Sequence, residues 1–460
     1  MSKRSIFSLL ALLSILVAFS ATGSAQVTTV TISGTVNDSA GAVIPNAQVT
    51  AINIETNFSR AATTDSSGQY SIQFLPIGLY RIEVTATGFK KYVRSGIVLE
   101  VNRNARVDLA LEAGAVTETV SVTSDAPLVE TSNATLGQTT TNAEIANLPL
   151  VNRDVYTLLE LTAGVDSTAN NNIFGAPAQT TTVNGSANNG GGTVNYYLDG
   201  GSNTNGLRNT GNSLPNPDAV QEFRVITNSY SAEYGRFAGG VVDVVSKSGT
   251  NQWRGSLFEF IRNDALNANR WTPGVSLLAK EVLRRNQFGG SFGGPVIRDK
   301  TFFFASYSGL RQRRPVFANT ATPTTAAERN GIFSGRVRDP QRTGACTATD
   351  QTACFPNNTI PTNRFDPTAA RILNEFIPLP NLPNGAYEAQ ETRPFDSDEI
   401  QFKLDHALSA AHQLTGSYFF QMGKDIEPML GNLPWVKREF TWKQHNLNLG
   451  DTWTISPTMI

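Results

Sequence analysis

Few residues in this sequence could carry chemistry, and they do not form a recognisable catalytic set. Asp199 stands before Gly200, and because Asp-Gly is a common turn pair, a turn residue is favoured over a catalytic acid. The glycine run that ends at Gly192 lacks the Lys-Ser or Lys-Thr of a phosphate-binding loop. We therefore predict no enzyme activity and no cofactor. No shared metal site is expected either, because the three histidines lie on strand-like or turn-like segments: His406, His412 and His445.

Two other groups have both a functional and a structural interpretation. The basic run Arg311–Arg314 could bind an anionic substrate or lipopolysaccharide, but a solvated loop base is the favoured interpretation. Cys346 and Cys354 are eight positions apart in a loop-like stretch. In an oxidising compartment such a pair forms a local disulfide more readily than a metal site, since no histidine lies nearby. We expect a structural bridge.

The composition limits the remaining classes of protein. The 460 residues include 37 Lys and Arg against 38 Asp and Glu, a net charge of −1 that argues against a nucleic-acid-binding protein. Charged residues make up 16% of the chain, below the ~25% of an ordinary soluble protein. After residue 20 no apolar run is long enough for a transmembrane helix. The many Gly, Thr, Asn and aromatic residues indicate a β-rich protein.

The first residues resemble an export signal. Lys3 and Arg4 precede an apolar run that ends at Phe19, and small residues follow up to Ala25. This order is typical of a secretory signal peptide, which we place at residues 1–25. A membrane anchor is the disfavoured alternative, because the apolar run is shorter than the ~20 residues that a span needs.

Residues 26–113 show the alternation of a small β domain. Apolar side chains recur at every second position, and turn signals such as Asp38–Gly41 and Asp65–Gly68 separate the runs. Several short strands of this kind make a sandwich. Nearly the whole segment resembles the carboxypeptidase regulatory-like domain, which has a transthyretin-type sandwich fold. Its namesake accompanies a metallopeptidase, but no zinc-ligand constellation occurs here, so that activity does not carry over.

Residues 114–250 contain an ordered series of short motifs. In chain order they are an extended β-branched segment, an L-D-G turn, the segment AVQEFRV, a Y-G-x-x-x-G-G turn and a closing strand. The order resembles the plug domain of TonB-dependent outer-membrane receptors, and together with the sandwich it resembles the Oar-like branch of that family. The resemblance implies a loose TonB box and a plug motif, whose residues are Glu118, Thr119, Val120, Ser121 and Val122 for the box, and Leu198, Asp199, Gly200, Tyr234, Gly235, Gly239 and Gly240 for the motif.

Between these motifs the sequence predicts two short helices, for which Asn142 and Asp154 could act as caps. The stretch 166–214 is rich in Gly, Asn and Thr, which fits a domain of low stability that is readily remodelled.

Residues 251–460 alternate polar and apolar side chains, for example over 413–420 and 444–455. Strands of ~10 residues with one apolar and one polar face are the signature of a transmembrane β-barrel. A half-buried soluble sheet gives the same pattern, and the plug before it favours the barrel. Aromatic residues could form the girdles at the membrane interfaces: Trp253, Phe258, Phe260, Phe302, Phe303, Phe304, Trp442 and Trp453.

The connections of this barrel are expected to be unequal. The stretch from about 310 to 393 lacks strand rhythm and predicts a long extracellular loop, whereas Leu408–Ala411 predicts a short periplasmic turn. At ~20 residues for a strand and its connection, 251–460 holds about ten strands, against ~22 in the family. The expected fold class is therefore mainly β: a signal peptide, a transthyretin-like sandwich, an α/β plug domain and the N-terminal part of an incomplete transmembrane antiparallel β-barrel.

The resemblance implies import across the outer membrane of a Gram-negative bacterium. Such a receptor binds an extracellular small molecule, oligosaccharide or peptide, and TonB with its inner-membrane energising complex drives the substrate to the periplasm. Outer-membrane lipid would surround the barrel, and no nucleic acid is expected as a partner. A surface or adhesion protein of the Oar type, without active transport, is the alternative. A regulatory accessory of a peptidase is a weaker third hypothesis. The sequence does not identify the substrate.

Overall fold

The computed structural model describes residues 29–115, 117–123, 134–148, 150, 152–171, 177–186, 192–231, 234, 237–268, 280, 282–428 and 437–455. The predicted signal peptide lies outside these residues. Within them the fold is mainly β, as predicted, and consists of a sandwich, a second domain at the position of the predicted plug, which is called the plug below, and an antiparallel barrel wall. No helix of the described residues has the length and apolarity that a membrane span requires.

The sandwich contains two sheets whose apolar side chains alternate and face each other, with Ile32, Ile72 and Tyr80 fully buried between them. Its strands are β1 (Thr29–Asp38), β2 (Gln48–Asn53), β3 (Ser59–Thr63), β4 (Gln69–Pro76), β5 (Gly78–Thr85), β6 (Lys91–Leu99), β7 (Ala105–Arg106), β8 (Leu109–Leu111) and β9 (Thr119–Thr123). One sheet has the order β4-β1-β7, with β8 also paired with β1, and the other has the order β3-β2-β5-β6-β9.

The plug combines two sheets with short helices. Its strands are β10 (Leu136–Thr141), β11 (Val165–Asn171), β12 (Pro177–Val183), β13 (Val194–Leu198), β14 (Gly201–Ser202), β15 (Thr204–Asn205), β16 (Thr210–Gly211), β17 (Val220–Asn228) and β18 (Gly240–Ser246). One sheet has the order β10-β17-β18-β13-β14 and the other β11-β12-β16-β15. Helix α1 (Asn142–Asn147) and the 3-10 helices Val155–Leu161 and Pro217–Ala219 connect them.

The caps of the plug helices differ in part from the prediction. Asp154 caps the 3-10 helix, because its Oδ1 accepts a hydrogen bond from the backbone N of Tyr156 at 3.0 Å. Asn142 is not a cap but the first residue of α1, and its side chain donates to the carbonyl oxygen of Val220. Thr141 is the cap residue, since Thr141 and Glu144 form a capping box. The sequence already contained this pattern, because Glu144 follows Thr141 by three positions, as a capping box requires.

The barrel wall is one antiparallel sheet in chain order. It consists of β19 (Arg254–Asn263), β20 (Arg284–Ile297), β21 (Thr301–Ala321), β22 (Tyr387–Ser409), β23 (His412–Glu427) and β24 (Arg438–Trp453). The described part of 251–460 thus holds six strands rather than about ten. The estimate was wrong because five of the six strands have 14 to 23 residues, above the assumed ~10, and because a long connection separates β21 from β22.

The two faces of the wall differ as the alternation predicted. Lys403 and Ser417 are paired neighbours on the face toward the plug, and both are buried. Leu447 and Leu449 point the other way and are 64% and 73% exposed. On this outer face Trp253 stacks on Phe292, with ring centroids 5.3 Å apart. The wall therefore has a polar inner face and an apolar outer face.

Only part of the predicted aromatic girdle lies on the outer face. Trp253, Phe303 and Trp453 are placed there, and Trp253 contacts Phe303. The other predicted aromatics lie on the inner face, where register pairs them with inward residues or where they contact the plug: Phe258, Phe260, Phe302, Phe304 and Trp442. The prediction was wrong for these five because aromatic content alone does not fix which face of a strand a side chain occupies.

The long connection is shorter than predicted. It runs from 322 to 386 rather than from 310 to 393, because β21 and β22 continue beyond the apolar part of the wall. Cross-strand ion pairs stabilise these extensions, with Arg311 on Asp398 at 2.8 Å and Arg313 on Asp396 at 2.6 Å. The basic run is thus part of a strand, and Arg311 and Arg313 already have carboxylate partners.

The loop between β21 and β22 has structure of its own. It contains α2 (Ala326–Arg329), α3 (Pro367–Phe376) and a disulfide that joins Cys346 to Cys354. The short turns lie at the other end of the strands, where the sandwich contacts them. There Asn57 donates to Asp299 at 2.9 Å, and Arg60 donates to the carbonyl oxygen of Ala410 at 3.4 Å.

Candidate functional site

The L-D-G motif forms a tight turn between β13 and β14. Asp199 has φ +50° and Gly200 has φ +80°, and two successive positive φ values are the requirement of a type I′ turn. The buried side chain of Leu198 holds the end of β13 in the plug core. The turn therefore places the Asp199 carboxylate at the surface of the plug that meets the wall.

Asp199 joins the plug to the inner face of the wall. Its carboxylate accepts from the backbone N of Ser246 at 2.8 Å and from the Ser246 Oγ at 2.7 Å. Lys403 Nζ on β22 lies 3.3 Å from the same carboxylate and also donates to the carbonyl oxygen of Ser246. Both side chains of this ion pair are about 5% exposed. The arrangement is a neutralised, buried anchor and offers no catalytic geometry.

Amide side chains of β24 bind the backbone of the plug on either side of this turn. Asn448 Nδ2 donates to the carbonyl oxygen of Leu198 at 3.0 Å, and Asn446 Nδ2 donates to that of Ser202 at 3.3 Å. Gly201 lies so close that a Cβ would stand 1.7 Å from the Asn448 Oδ1. The sequence placed these asparagines on a polar face, but it did not reveal what they bind.

The Y-G-x-x-x-G-G motif lies at another surface of the plug, near the sandwich. The Tyr234 hydroxyl donates to Asn102 Oδ1 at 2.9 Å, and its ring packs edge-on against Tyr197. Gly240 has φ +134° and starts β18, while the Gly239 N–H donates to the carbonyl oxygen of Thr193. Gly235 lies outside the described residues.

Two buried carboxyl groups face the same part of the sandwich. Glu222 accepts from the backbone N of Val101, and Asp243 accepts from Asn102 Nδ2 at 2.7 Å. Burial raises the pKa of Glu222 to about 8 and that of Asp243 to about 7. Hydrogen bonds from the sandwich oppose the rise, and the neighbouring Arg224 opposes it at Glu222. No motif in the sequence marked Glu222 and Asp243 as a functional pair, because both lie in segments with an ordinary strand pattern.

The predicted TonB box occupies the edge of the sandwich. All its residues except Glu118 lie in β9, which pairs in parallel with β6, so that Val120 lies opposite Tyr92. The carbonyl oxygen of Glu118 accepts from the backbone N of Lys91 at 2.9 Å, and the Glu118 carboxylate lies 3.2 Å from Lys90 Nζ. The segment is thus ordered on the side of the molecule that holds the sandwich.

A cavity of about 1320 Å³ opens where the three domains meet. The sandwich contributes Phe58, the plug contributes Asp199 and Ser246, and the wall contributes Lys403 and Thr415. Within the described ranges, no group of three or more His, Cys, Asp or Glu side chains is placed to hold a metal ion.

Comparisons with known proteins agree with this architecture. Residues 245–460 match the outer membrane beta barrel domain family, and residues 31–112 match the carboxypeptidase regulatory-like domain family. The TonB-dependent transporter Oar of Myxococcus xanthus is 30% identical over 283 residues, which cover 56% of this chain and 24% of that protein. This chain therefore spans about a quarter of the length of that relative.

Two solved structures of outer-membrane proteins also match. The siderophore receptor PirA from Acinetobacter baumannii has 15% identity and a TM-score of 0.33, over 68% of this chain and 44% of its own. The outer membrane transporter YddB from Escherichia coli has 14% identity and a TM-score of 0.42, over 70% of this chain and 37% of its own.

The family matches define the class: an outer-membrane β-barrel protein that carries a carboxypeptidase regulatory-like domain ahead of its barrel strands. The predicted resemblance to TonB-dependent outer-membrane receptors, in the branch represented by Oar, is confirmed. The chain is a protein of the Gram-negative outer membrane, and the relative with 30% identity is named as a transporter.

Proposed function

We propose that this chain acts in TonB-dependent import across the outer membrane. An extracellular substrate binds on the side of the long loop 322–386, and TonB supplies the energy that moves the plug and opens a path to the periplasm. The relative with 30% identity is named as a TonB-dependent transporter, which supports the proposal.

The observation that carries the proposal is the polar contact of the plug with the inner face of the wall, which is called the seat below. The Asp199–Lys403 ion pair and the hydrogen bonds of Asn446 and Asn448 hold the plug through groups that water can replace. Each hydrogen bond exchanged for water costs only ~0.5–1.5 kcal/mol net, so a pulled plug can leave such a seat stepwise. An apolar interface of the same extent would resist this movement more strongly, because its separation exposes apolar area to water.

The location of the box supports the direction of the pull. The sandwich, the short turns at Asp299 and Ala410 and the segment Glu118–Val122 lie at one end of the wall, and the long loop lies at the other. In this arrangement TonB engages the chain on the periplasmic side while substrate arrives from the outside.

Deletion of residues 118–122 tests the proposal. A strain that lacks the gene is first grown on defined carbon and iron sources to find the nutrient whose use is lost. The intact gene should restore growth, and the gene with the deletion should not, although the receptor reaches the outer membrane at an equal level in an immunoblot. The control is Glu112→Ala, a change at an exposed residue just before the box, which should restore growth fully.

The adhesion hypothesis predicts a different result. A surface protein without active transport would lose no nutrient when the gene is removed, and the deleted form would support cell attachment as well as the intact one. That combination would contradict the import function.

A further inference from the structure

The strand that contains the predicted TonB box has one occupied edge and one open edge. β9 is the last strand of the sheet β3-β2-β5-β6-β9, and no strand of the described residues pairs with its other side. An open edge carries unpaired N–H and C=O groups and is a template for strand addition. Most such edges are blunted by proline or charge, and the sequence TVSVT of β9 contains neither.

The backbone groups of β9 divide between the two edges. The Glu118 carbonyl oxygen accepts from Lys91 N and points toward β6, whereas the Glu118 N–H, just before β9, donates to the carbonyl oxygen of Ala115. Because successive residues of a strand alternate in direction, the backbone groups of Val120 and Val122 also point toward β6. The N–H and C=O groups of Thr119, Ser121 and Thr123 therefore point away from the sandwich.

The sandwich also holds the side chains of β9. Val120 is paired with Tyr92, which packs against the sandwich core, and Val122 is paired with Arg94. Val120 is half-buried in this position. Glu118 is tied to Lys90 by an ion pair at 3.2 Å. One edge of the segment and the Val120 side chain are thus held by the sandwich, whereas Val122 is 37% exposed and no described strand pairs with the other edge.

We propose that the sandwich presents the TonB box in place, and that an extended segment of TonB adds to the outer edge of β9 as a further strand. The pairing of β9 with β6 persists in the complex. This inference rests on the proposed function, because it takes TonB as the partner. Its physical basis is pre-organisation: the box is already extended, so binding avoids the entropic cost of ordering a free segment.

A disulfide bond between β6 and β9, called the staple below, distinguishes two possibilities: the box binds TonB while it stays in the sandwich, or the box must first leave the sandwich. Val93 and Ser121 are directly paired, on the side of the sheet opposite the core-facing Tyr92. The double variant Val93→Cys/Ser121→Cys locks the two strands together when oxidised. The probe is the purified periplasmic domain of the cell's own TonB, and binding to the receptor in detergent is measured with and without reductant.

Presentation predicts that the oxidised staple binds TonB within about threefold of the unsubstituted receptor, which is less than 1 kcal/mol. If oxidation weakens binding tenfold or more and reductant restores it, the box must leave the sandwich and the proposal is overturned. The unsubstituted receptor, treated in the same way, controls for reduction of the Cys346–Cys354 bridge.

Two proline variants give an independent measurement. Ser121→Pro removes an outward N–H, and we expect it to weaken TonB binding about tenfold, since one lost hydrogen bond and the altered edge correspond to ~1.4 kcal/mol. Val120→Pro removes an inward N–H instead and should weaken binding less. The reverse order of the two effects would overturn the proposal.

Deletion of residues 118–122 distinguishes a failure of presentation by the sandwich from a failure of the proposed import function. If the deletion leaves TonB binding unchanged, the box is assigned wrongly and import by this route fails. If the deletion abolishes binding and the oxidised staple also abolishes it, import stands and only presentation by the sandwich fails.

Discussion

The plug contacts its two neighbours through different chemistry. Toward the wall, the charge of Asp199 is balanced by Lys403, and the amides of Asn446 and Asn448 meet backbone carbonyl oxygens. Toward the sandwich, two buried carboxyl groups meet one backbone N–H and one amide. One surface is therefore neutral through pairing of opposite charges, whereas the other holds two carboxyl groups whose pKa values burial raises, beside the cationic Arg224.

Because of this difference, the strengths of the two contacts depend on different conditions. The strength of a buried ion pair depends on both partners being present. Carboxyl groups with pKa values of about 8 and about 7 change their charge near neutral pH. We infer that the seat on the wall responds to mutation and pulling, whereas the contact with the sandwich also responds to pH.

The largest effect of a single substitution is expected from Lys403→Met, which leaves the Asp199 carboxylate buried beside uncharged donors. Removal of one partner of a buried ion pair typically costs ~3–5 kcal/mol. The free energy of unfolding in urea should fall by that amount, and trypsin should cleave the plug faster in the folded receptor. The control is Lys443→Met on β24, an exposed lysine whose loss should cost under ~0.5 kcal/mol. Equal stability of the two variants would contradict the anchor.

A second test of the same ion pair is the double variant Asp199→Asn/Lys403→Met. It removes both charges together, so it should recover part of the stability that Lys403→Met loses. An additive loss would mean that Asp199 and Lys403 act independently.

The contact with the sandwich should depend on pH. The pKa of Glu222 is raised in the folded state from 4.5 to about 8, and that of Asp243 from 3.8 to about 7. Stability from these groups is therefore fully present below about pH 4 and is lost as pH rises toward 8. The free energy of unfolding should decline by up to ~1.4 kcal/mol per pH unit and per group between pH 5 and pH 7.

Glu222→Gln should flatten this decline, because an amide stays neutral and its oxygen still accepts from the backbone N of Val101. Glu160→Gln, at an exposed residue of the plug, should leave the pH profile unchanged. A profile that Glu222→Gln does not alter would show that the pH dependence arises elsewhere.

The sequence revealed those features of the fold that depend on local pattern. Strand alternation predicted that Leu447 and Leu449 point away from Asn446 and Asn448, and the structure places them so. The Asp-Gly pair at 199 and 200 predicted a turn, because two successive residues with positive φ need such types. These inferences required no knowledge of which residues, distant in the sequence, contact these positions.

The sequence could not reveal the partners of these residues. Lys403 is 204 positions from Asp199, and no local signal links them. The extension of β21 was missed for the same reason: Arg311 and Arg313 look like loop residues until register places carboxylates beside them, 87 and 83 positions along the chain. Register is a long-range property that side-chain period alone leaves open.

The smallest predicted effect concerns the close approach of plug and wall at Gly201. In Gly201→Ala the new methyl group would meet the Asn448 side chain, whose Nδ2 donates to the carbonyl oxygen of Leu198 and to Asn446. Asn448 can move away only by giving up these hydrogen bonds, so we expect a loss of ~1–3 kcal/mol in the free energy of unfolding.

The matched change is Gly206→Ala, five positions along the plug, where no atom lies within 4 Å of an added Cβ. Gly206→Ala should alter stability by less than ~0.5 kcal/mol, and it should not change the rate at which trypsin cleaves the plug. If both glycines tolerate alanine equally well, the plug does not sit against β24 as closely as Asn448 requires. The seat on the wall would then rest on other contacts, such as the ion pair of Asp199 and Lys403 and the hydrogen bond from Asn216 N to Glu399.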